Sequence, residues 1–129
     1  MFEITKEFSF EAAHHLNGLP AGHQCGEVHG HSYRVQLVLR SDDVDEFGFV
    51  VDYGQLGDFA DFLKSEFDHK DLNEIIVPGV AMTTASGKIK QPTAESLAWI
   101  FFQWSRERWP QLAEVRVSET QKSWASYRV

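Results

Sequence analysis

The sequence predicts an α+β fold, with strands gathered towards both ends of the chain and two helices between them. Three observations carry this reading. Apolar and polar residues alternate along 2–10 and again along 31–40, the two-residue period of half-buried strands. Leu56, Phe59, Ala60, Leu63 and Phe67, and later Leu97, Ile100, Phe101 and Trp104, recur at the spacing of helices with one buried stripe. Alternation returns along 113–119, and the run from Trp124 to Val129 reads as a closing strand. At 129 residues, 43% hydrophobic and 13% aromatic, the chain suits a single domain, residues 1–129, with a genuine core.

In the first strand Phe2, Ile4, Phe8 and Phe10 share one parity, interrupted by Lys6, while Glu3, Thr5, Glu7 and Ser9 take the other. Continued in extended geometry, the even parity passes through Ala12 to His14, so His14 and not His15 lies on the apolar side. Asn17-Gly18, Pro20 and Gly22 mark residues 15–28 as a loop. The second strand turns Tyr33, Val35, Leu37 and Leu39 inward, on the parity of His29 and His31. Two neighbouring strands would therefore gather His14, His29 and His31 at one end of a sheet. Such a nitrogen-rich set suits a catalytic zinc ion with an open position. The other reading is three hydrogen-bonded histidines of core or surface.

Ser41 to Gly48 reads as an acidic turn, and Phe49-Val50-Val51 as a short extended segment before the first helix. That helix exits near Asp68-His69-Lys70-Asp71-Leu72-Asn73. An Asp-His pair at a helix exit is either a solvated turn with a C-terminal charge effect or a proton-exchanging pair. Residues 74–92 form a long connection holding Lys88 and Lys90, either a solvated loop or a local source of positive charge for an anionic substrate. Thr93 is placed to cap the second helix, Glu95 complements its positive end, and Pro110 stops it. In the strand after it, Glu119 falls on the inward parity of Val115 and Val117. A carboxylate there is costly unless it is paired, binds something, or turns to solvent at the strand end.

Net charge is −7 at pH 7, with no Lys/Arg stripe, which argues against nucleic acid as a partner. No apolar run approaches the roughly 20 residues needed to span a bilayer, and no signal-peptide pattern opens the chain, so a cytoplasmic protein without membrane attachment is expected. The single cysteine, Cys25, cannot form an internal disulfide, in keeping with a reducing compartment.

Cys25 belongs to the stretch Cys25-Gly26-Glu27-Val28-His29-Gly30-His31. Together with Phe10-Glu11-Ala12-Ala13-His14, Asp68-His69 followed by Leu72-Asn73, Pro92-Thr93-Ala94-Glu95 and Glu119-Thr120, it resembles the family of 6-pyruvoyltetrahydropterin and 6-carboxytetrahydropterin synthases. The resemblance covers nearly the whole chain. It implies the tunnelling fold: a four-stranded antiparallel sheet with two helices on one face. Three subunits would close a barrel, and two trimers would stack into a homo-hexamer with active sites at subunit boundaries. It also implies zinc ligands at His14, His29 and His31, a catalytic thiol at Cys25, a proton relay at Asp68 and His69, and a pterin-holding carboxylate at Glu119. Thr93 and Glu95 are expected as further substrate contacts.

Three residues between the cysteine and His-Gly-His resemble the carboxytetrahydropterin branch, of the queuosine and deazapurine pathway. The implied activity is a zinc-dependent carbon–carbon lyase acting on 7,8-dihydroneopterin triphosphate. Its products would be 6-carboxy-5,6,7,8-tetrahydropterin, acetaldehyde and triphosphate. The alternatives are the pyruvoyl branch, which eliminates triphosphate without cleaving the side chain, and a zinc-stabilised pterin-binding module without turnover.

Overall fold

Two long strands, β1 (Phe2–His14) and β2 (His29–Ser41), pair antiparallel over their full length, with Phe2 opposite Ser41 and His14 opposite His29. The structure is a computed structural model and describes residues 1–76 and 91–129. β1 follows the expected parity: Phe10, Ala12 and His14 are buried, while Glu3, Thr5, Glu7, Ser9 and Glu11 are exposed. On β2 the inward residues Tyr33, Val35, Leu37 and Leu39 are fully buried. β4 (Leu112–Thr120) pairs antiparallel with β2, and β5 (Ser123–Arg128) with β4.

The sheet is mixed and has five strands, in the order β3 (Lys70–Asp71), β1, β2, β4 and β5. This corrects the expectation of four antiparallel strands. The additional strand, β3, runs parallel to β1 opposite Ala12 and Ala13. Two residues are too few to show any alternation, so its sequence carries no strand signal. The position is decided by neighbours: Glu11 donates its N–H to Asp68 Oδ1 at 2.8 Å, and His69 donates its own to the Glu11 carbonyl at 2.6 Å.

Phe49-Val50-Val51 is also not a strand. The Asp45 carboxylate accepts the N–H groups of Phe47 and Phe49, each at 2.9 Å, and winds this region into a turn. The start of the 74–92 connection is helical, as part of the short α2 (Leu72–Ile75). Lys88 and Lys90 lie outside the described residues.

The two longer helices, α1 (Gly57–Glu66) and α3 (Ala94–Arg106), cover the inward face of the sheet. Phe59 of α1 packs edge-on against Phe8, and Phe101 of α3 packs against Phe10, Phe59 and Phe67. Thr93 caps α3 through its hydroxyl, which accepts the Ser96 N–H at 3.1 Å. On the opposite face Arg40 pairs with Glu3 at 2.6 Å, and Arg116 with Glu114 at 2.9 Å. That face is finished by charge pairs instead of a second apolar layer. Among the described residues no helix is long and apolar enough to cross a membrane.

Candidate metal centre and active site

The pairing of β1 with β2 decides the site. Because His14 stands opposite His29, and both face inward with His31, three imidazoles meet at the end of the sheet. One ring nitrogen from each lies within 4.8 Å of the others, an arrangement able to hold a metal ion. His14 is buried at 2% exposure, and the other two are half-buried.

Hydrogen bonds fix which nitrogen each ring presents. His14 Nδ1 lies 2.7 Å from the Pro92 carbonyl and His29 Nδ1 lies 2.6 Å from the Glu27 carbonyl. A carbonyl only accepts, so each Nδ1 carries the proton and each Nε2 keeps its lone pair. Those two Nε2 atoms face each other at 2.9 Å. Two acceptors that close require a shared proton or a cation between them. His31 Nε2 is also buried, and it has no hydrogen-bond partner among the described residues. The donor set therefore fits a metal that accepts neutral imidazoles. Burial lowers the His31 pKa, against the pull of Glu119, and the neighbouring His14 and His29 lower it further. A lower pKa keeps the ring neutral and free to ligate.

Tyr33, two residues beyond His31, closes the floor with its hydroxyl 3.2 Å from His14 Nδ1. Burial, followed by the charge of Glu119, raises the phenol's pKa and holds it protonated. Glu119 Oε2 sits 3.8 Å from His31 Nε2, beyond hydrogen-bond distance, so its inward parity brings it beside the histidine cluster. It lines a cleft of about 600 Å³ with Ser32, Arg34, Thr120 and Gln121.

A neighbouring cleft of about 500 Å³ is lined by Gly30, His31, His69 and Asp71. Glu11 and Ser32, joined by a 2.6 Å hydrogen bond, line both clefts and form the wall between them. Their even and odd parities alone give no sign of this role, which arises only from the pairing of β1 with β2.

Asp68 and His69 are adjacent to the second cleft. Asp68 Oδ2 lies 2.9 Å from His69 Nδ1, and its Oδ1 takes the Glu11 N–H. That backbone hydrogen bond, and then His69, hold the Asp68 carboxyl below the usual carboxylate range. His69 adopts a left-handed backbone, φ 59°, uncommon for a residue with a side chain, and its ring is 78% exposed.

Cys25 is half-buried in a short 3₁₀ turn, Gln24–Gly26, outside the histidine cluster. Its carbonyl accepts the Leu16 N–H at 2.8 Å, which ties the thiol's loop to the chain just beyond His14. Its own N–H is donated to His23 Nδ1 at 3.1 Å. The Thr93 hydroxyl is engaged in capping α3, and Glu95 is exposed on the first turn of that helix.

Residues 3–129 match the family model described as 6-pyruvoyl tetrahydropterin synthase. The chain is 35% identical over 133 residues to 6-carboxy-5,6,7,8-tetrahydropterin synthase of Synechocystis sp., covering 98% of this chain and 93% of that protein. It is 31% identical over 158 residues to the protein of the same name from Aquifex aeolicus, covering 98% of each. Among solved structures, the 6-pyruvoyl tetrahydropterin synthase of Caenorhabditis elegans superposes with a TM-score of 0.77 at 23% identity, over 99% of this chain and 95% of that one. An uncharacterised protein from Wolinella succinogenes gives 0.78 at 22%, over 98% and 97%. At those identities the superpositions speak for the fold alone. The match along nearly the whole sequence, over a chain that gathers His14, His29 and His31, shows that this protein belongs to the 6-pyruvoyl tetrahydropterin synthase family.

Proposed function

We propose that the protein is a zinc-dependent carbon–carbon lyase. It would convert 7,8-dihydroneopterin triphosphate and one water to 6-carboxy-5,6,7,8-tetrahydropterin, acetaldehyde and triphosphate. The observation that carries this is the set of three converging imidazoles, with free Nε2 atoms on His14 and His29, in a chain about a third identical to proteins named as that synthase. The three-residue gap from Cys25 to His29 supports the carboxy branch.

His14, His29 and His31 would hold the zinc. When bound, the metal supplies Lewis acidity that polarises the substrate's side-chain hydroxyls and acidifies adjacent protons. Cys25 would act as the base that takes a proton from the substrate. Asp68 orients His69 through Nδ1, which leaves Nε2 to exchange protons on the other side of the substrate. Glu119 accepts the paired N–H donors of the pterin ring in a charge-assisted contact. Glu11 and Ser32 line both its cleft and the one lined by His69.

Assembly into a ring of three, stacked as a hexamer, fits two features of the sheet. Among the described residues, β1 has no strand partner on its outer edge from Phe2 to Phe10, and β5 has none beyond β4. Complementary open edges at opposite ends of one sheet favour a closed head-to-tail ring. The exposed His69 would then face a neighbouring subunit.

The pyruvoyl activity is the second reading, favoured by the family model's own description. Incubation of the purified protein with 7,8-dihydroneopterin triphosphate, followed by mass analysis, separates them. Acetaldehyde with the carboxypterin supports the proposal. Triphosphate release with the side chain intact replaces it by the second reading, and an unchanged substrate removes both.

A further inference from the structure

The segment bearing Asp68 and His69 is attached to the outer edge of β1 residue by residue. Asp68 and His69 hold the two backbone groups of Glu11, and Lys70 and Asp71 pair with Ala12 and Ala13. β3 ends there, one residue short of the metal-site histidine His14 and two short of His15. A side chain continues the pattern. Asn73 Oδ1 accepts the His15 N–H at 2.9 Å, and Asn73 Nδ2 donates to the His15 carbonyl at 2.9 Å. One carboxamide thus satisfies both backbone groups of one residue, as a neighbouring strand would.

Asn73 is itself held in place. Its N–H is donated to Asp71 Oδ1 at 3.0 Å, which starts α2, and the preceding Leu72 is fully buried.

We propose that Asn73 is a positioning residue for the metal centre. By fixing the backbone at His15 it holds His14 in place at the end of β1, and it sets the spacing between the metal and the Asp68–His69 pair. This rests on the metal reading given above. The physical need is plain: His14 is the last residue of its strand, and the chain leaves into a loop immediately after it. The Pro92 hydrogen bond sets the rotation of the ring but does not restrain the Cα position. Ligand geometry tolerates only a few tenths of an ångström. No other side chain of this length offers one acceptor and one donor in the same plane. Aspartate would set a carboxylate oxygen against the His15 carbonyl, and alanine would leave both groups unmatched.

The test compares wild type with Asn73→Ala, Asn73→Asp and, as a control that keeps the backbone contacts, His15→Ala. Zinc affinity is measured by competition with a chromogenic chelator, the visible spectrum is recorded on cobalt-loaded protein, and the metal-free forms are followed by far-UV circular dichroism. Asn73→Ala is expected to lose about 10- to 100-fold in zinc affinity, the usual effect of removing a partner outside the ligand shell. Its cobalt bands should shift while the metal-free circular dichroism spectrum stays as in wild type. Asn73→Asp should lose affinity too, and being isosteric it provides the comparison if the alanine variant does not fold. His15→Ala should match wild type.

A purely structural asparagine would lower the melting temperature and leave zinc affinity and cobalt spectrum unchanged. That result, with wild type binding metal normally, overturns this inference alone. Failure of wild type to bind either metal overturns the metal reading and this inference with it.

Discussion

His14 and Pro92, 78 residues apart in the chain, meet through a 2.7 Å hydrogen bond from the imidazole Nδ1 to the proline carbonyl. The bond turns the His14 Nε2 lone pair towards the imidazole cluster. It also ties that cluster to the residue just before the Thr93 cap of α3. Binding of a metal by these imidazoles would therefore be linked to the seating of α3.

Metal removal should destabilise the whole domain. Zinc at 100 times its dissociation constant would stabilise the fold by about 2.7 kcal/mol, which chelation removes. Calorimetry with and without chelator checks this. Equal melting temperatures would mean that the three imidazoles do not bind the ion in the folded state.

The two adjacent histidines should behave differently. His14→Ala should lose most of its bound zinc, and His15→Ala should retain it, because only His14 faces His29 and His31. Elemental analysis after gel filtration decides the matter. The reverse pattern would contradict the observed register of β1.

Cys25 stands outside the histidine cluster. Cys25→Ala should keep zinc and fold while losing on the order of 10²-fold or more in turnover, the scale of a positioned acid or base. Wild-type turnover in this variant would remove the thiol from the mechanism.

Asp68 gives a pH signature. Its carboxyl is held below the usual range, mainly by the Glu11 N–H and then by His69. A carboxylate with a lowered folded-state pKa contributes stability that is present above the unfolded pKa and lost as pH falls through the folded one. Asp68→Asn should therefore melt below wild type at neutral pH. The gap should close as pH falls below the ordinary carboxylate range and through the lowered Asp68 value. A gap that stays constant down to the acid limit would show that ionisation of Asp68 contributes nothing to the fold.

The core should be least tolerant at Phe101, which is fully buried against Phe10, Phe59 and Phe67. Phe101→Ala should cost about 3–5 kcal/mol in urea unfolding. A loss under 1 kcal/mol would mean that the aromatic cluster closes over the cavity.

Much of this architecture is legible in the sequence because strand periodicity acts locally. Each side chain of a strand is committed to one face by its parity alone, so Phe10, Ala12 and His14 announce an inward row, as do His29 and His31. Helix caps are local as well, and Thr93 marks the start of α3 through its own hydroxyl and a backbone group three residues on. The expected four-strand sheet was incomplete because β3 is two residues long and owes its place to Glu11, which the sequence separates from Asp68 by 57 residues.

What the sequence by itself determined is which face each strand residue takes and which side chains could bind metal or exchange protons. The tertiary structure decided which of them meet. The opposition of His14 and His29 follows from one strand register. The Pro92 carbonyl, the Glu11–Ser32 wall and the Asn73 clamp join segments distant in the chain. None of these has a periodic signature, because a hydrogen bond between distant segments depends on how the elements pack and not on the residues beside it.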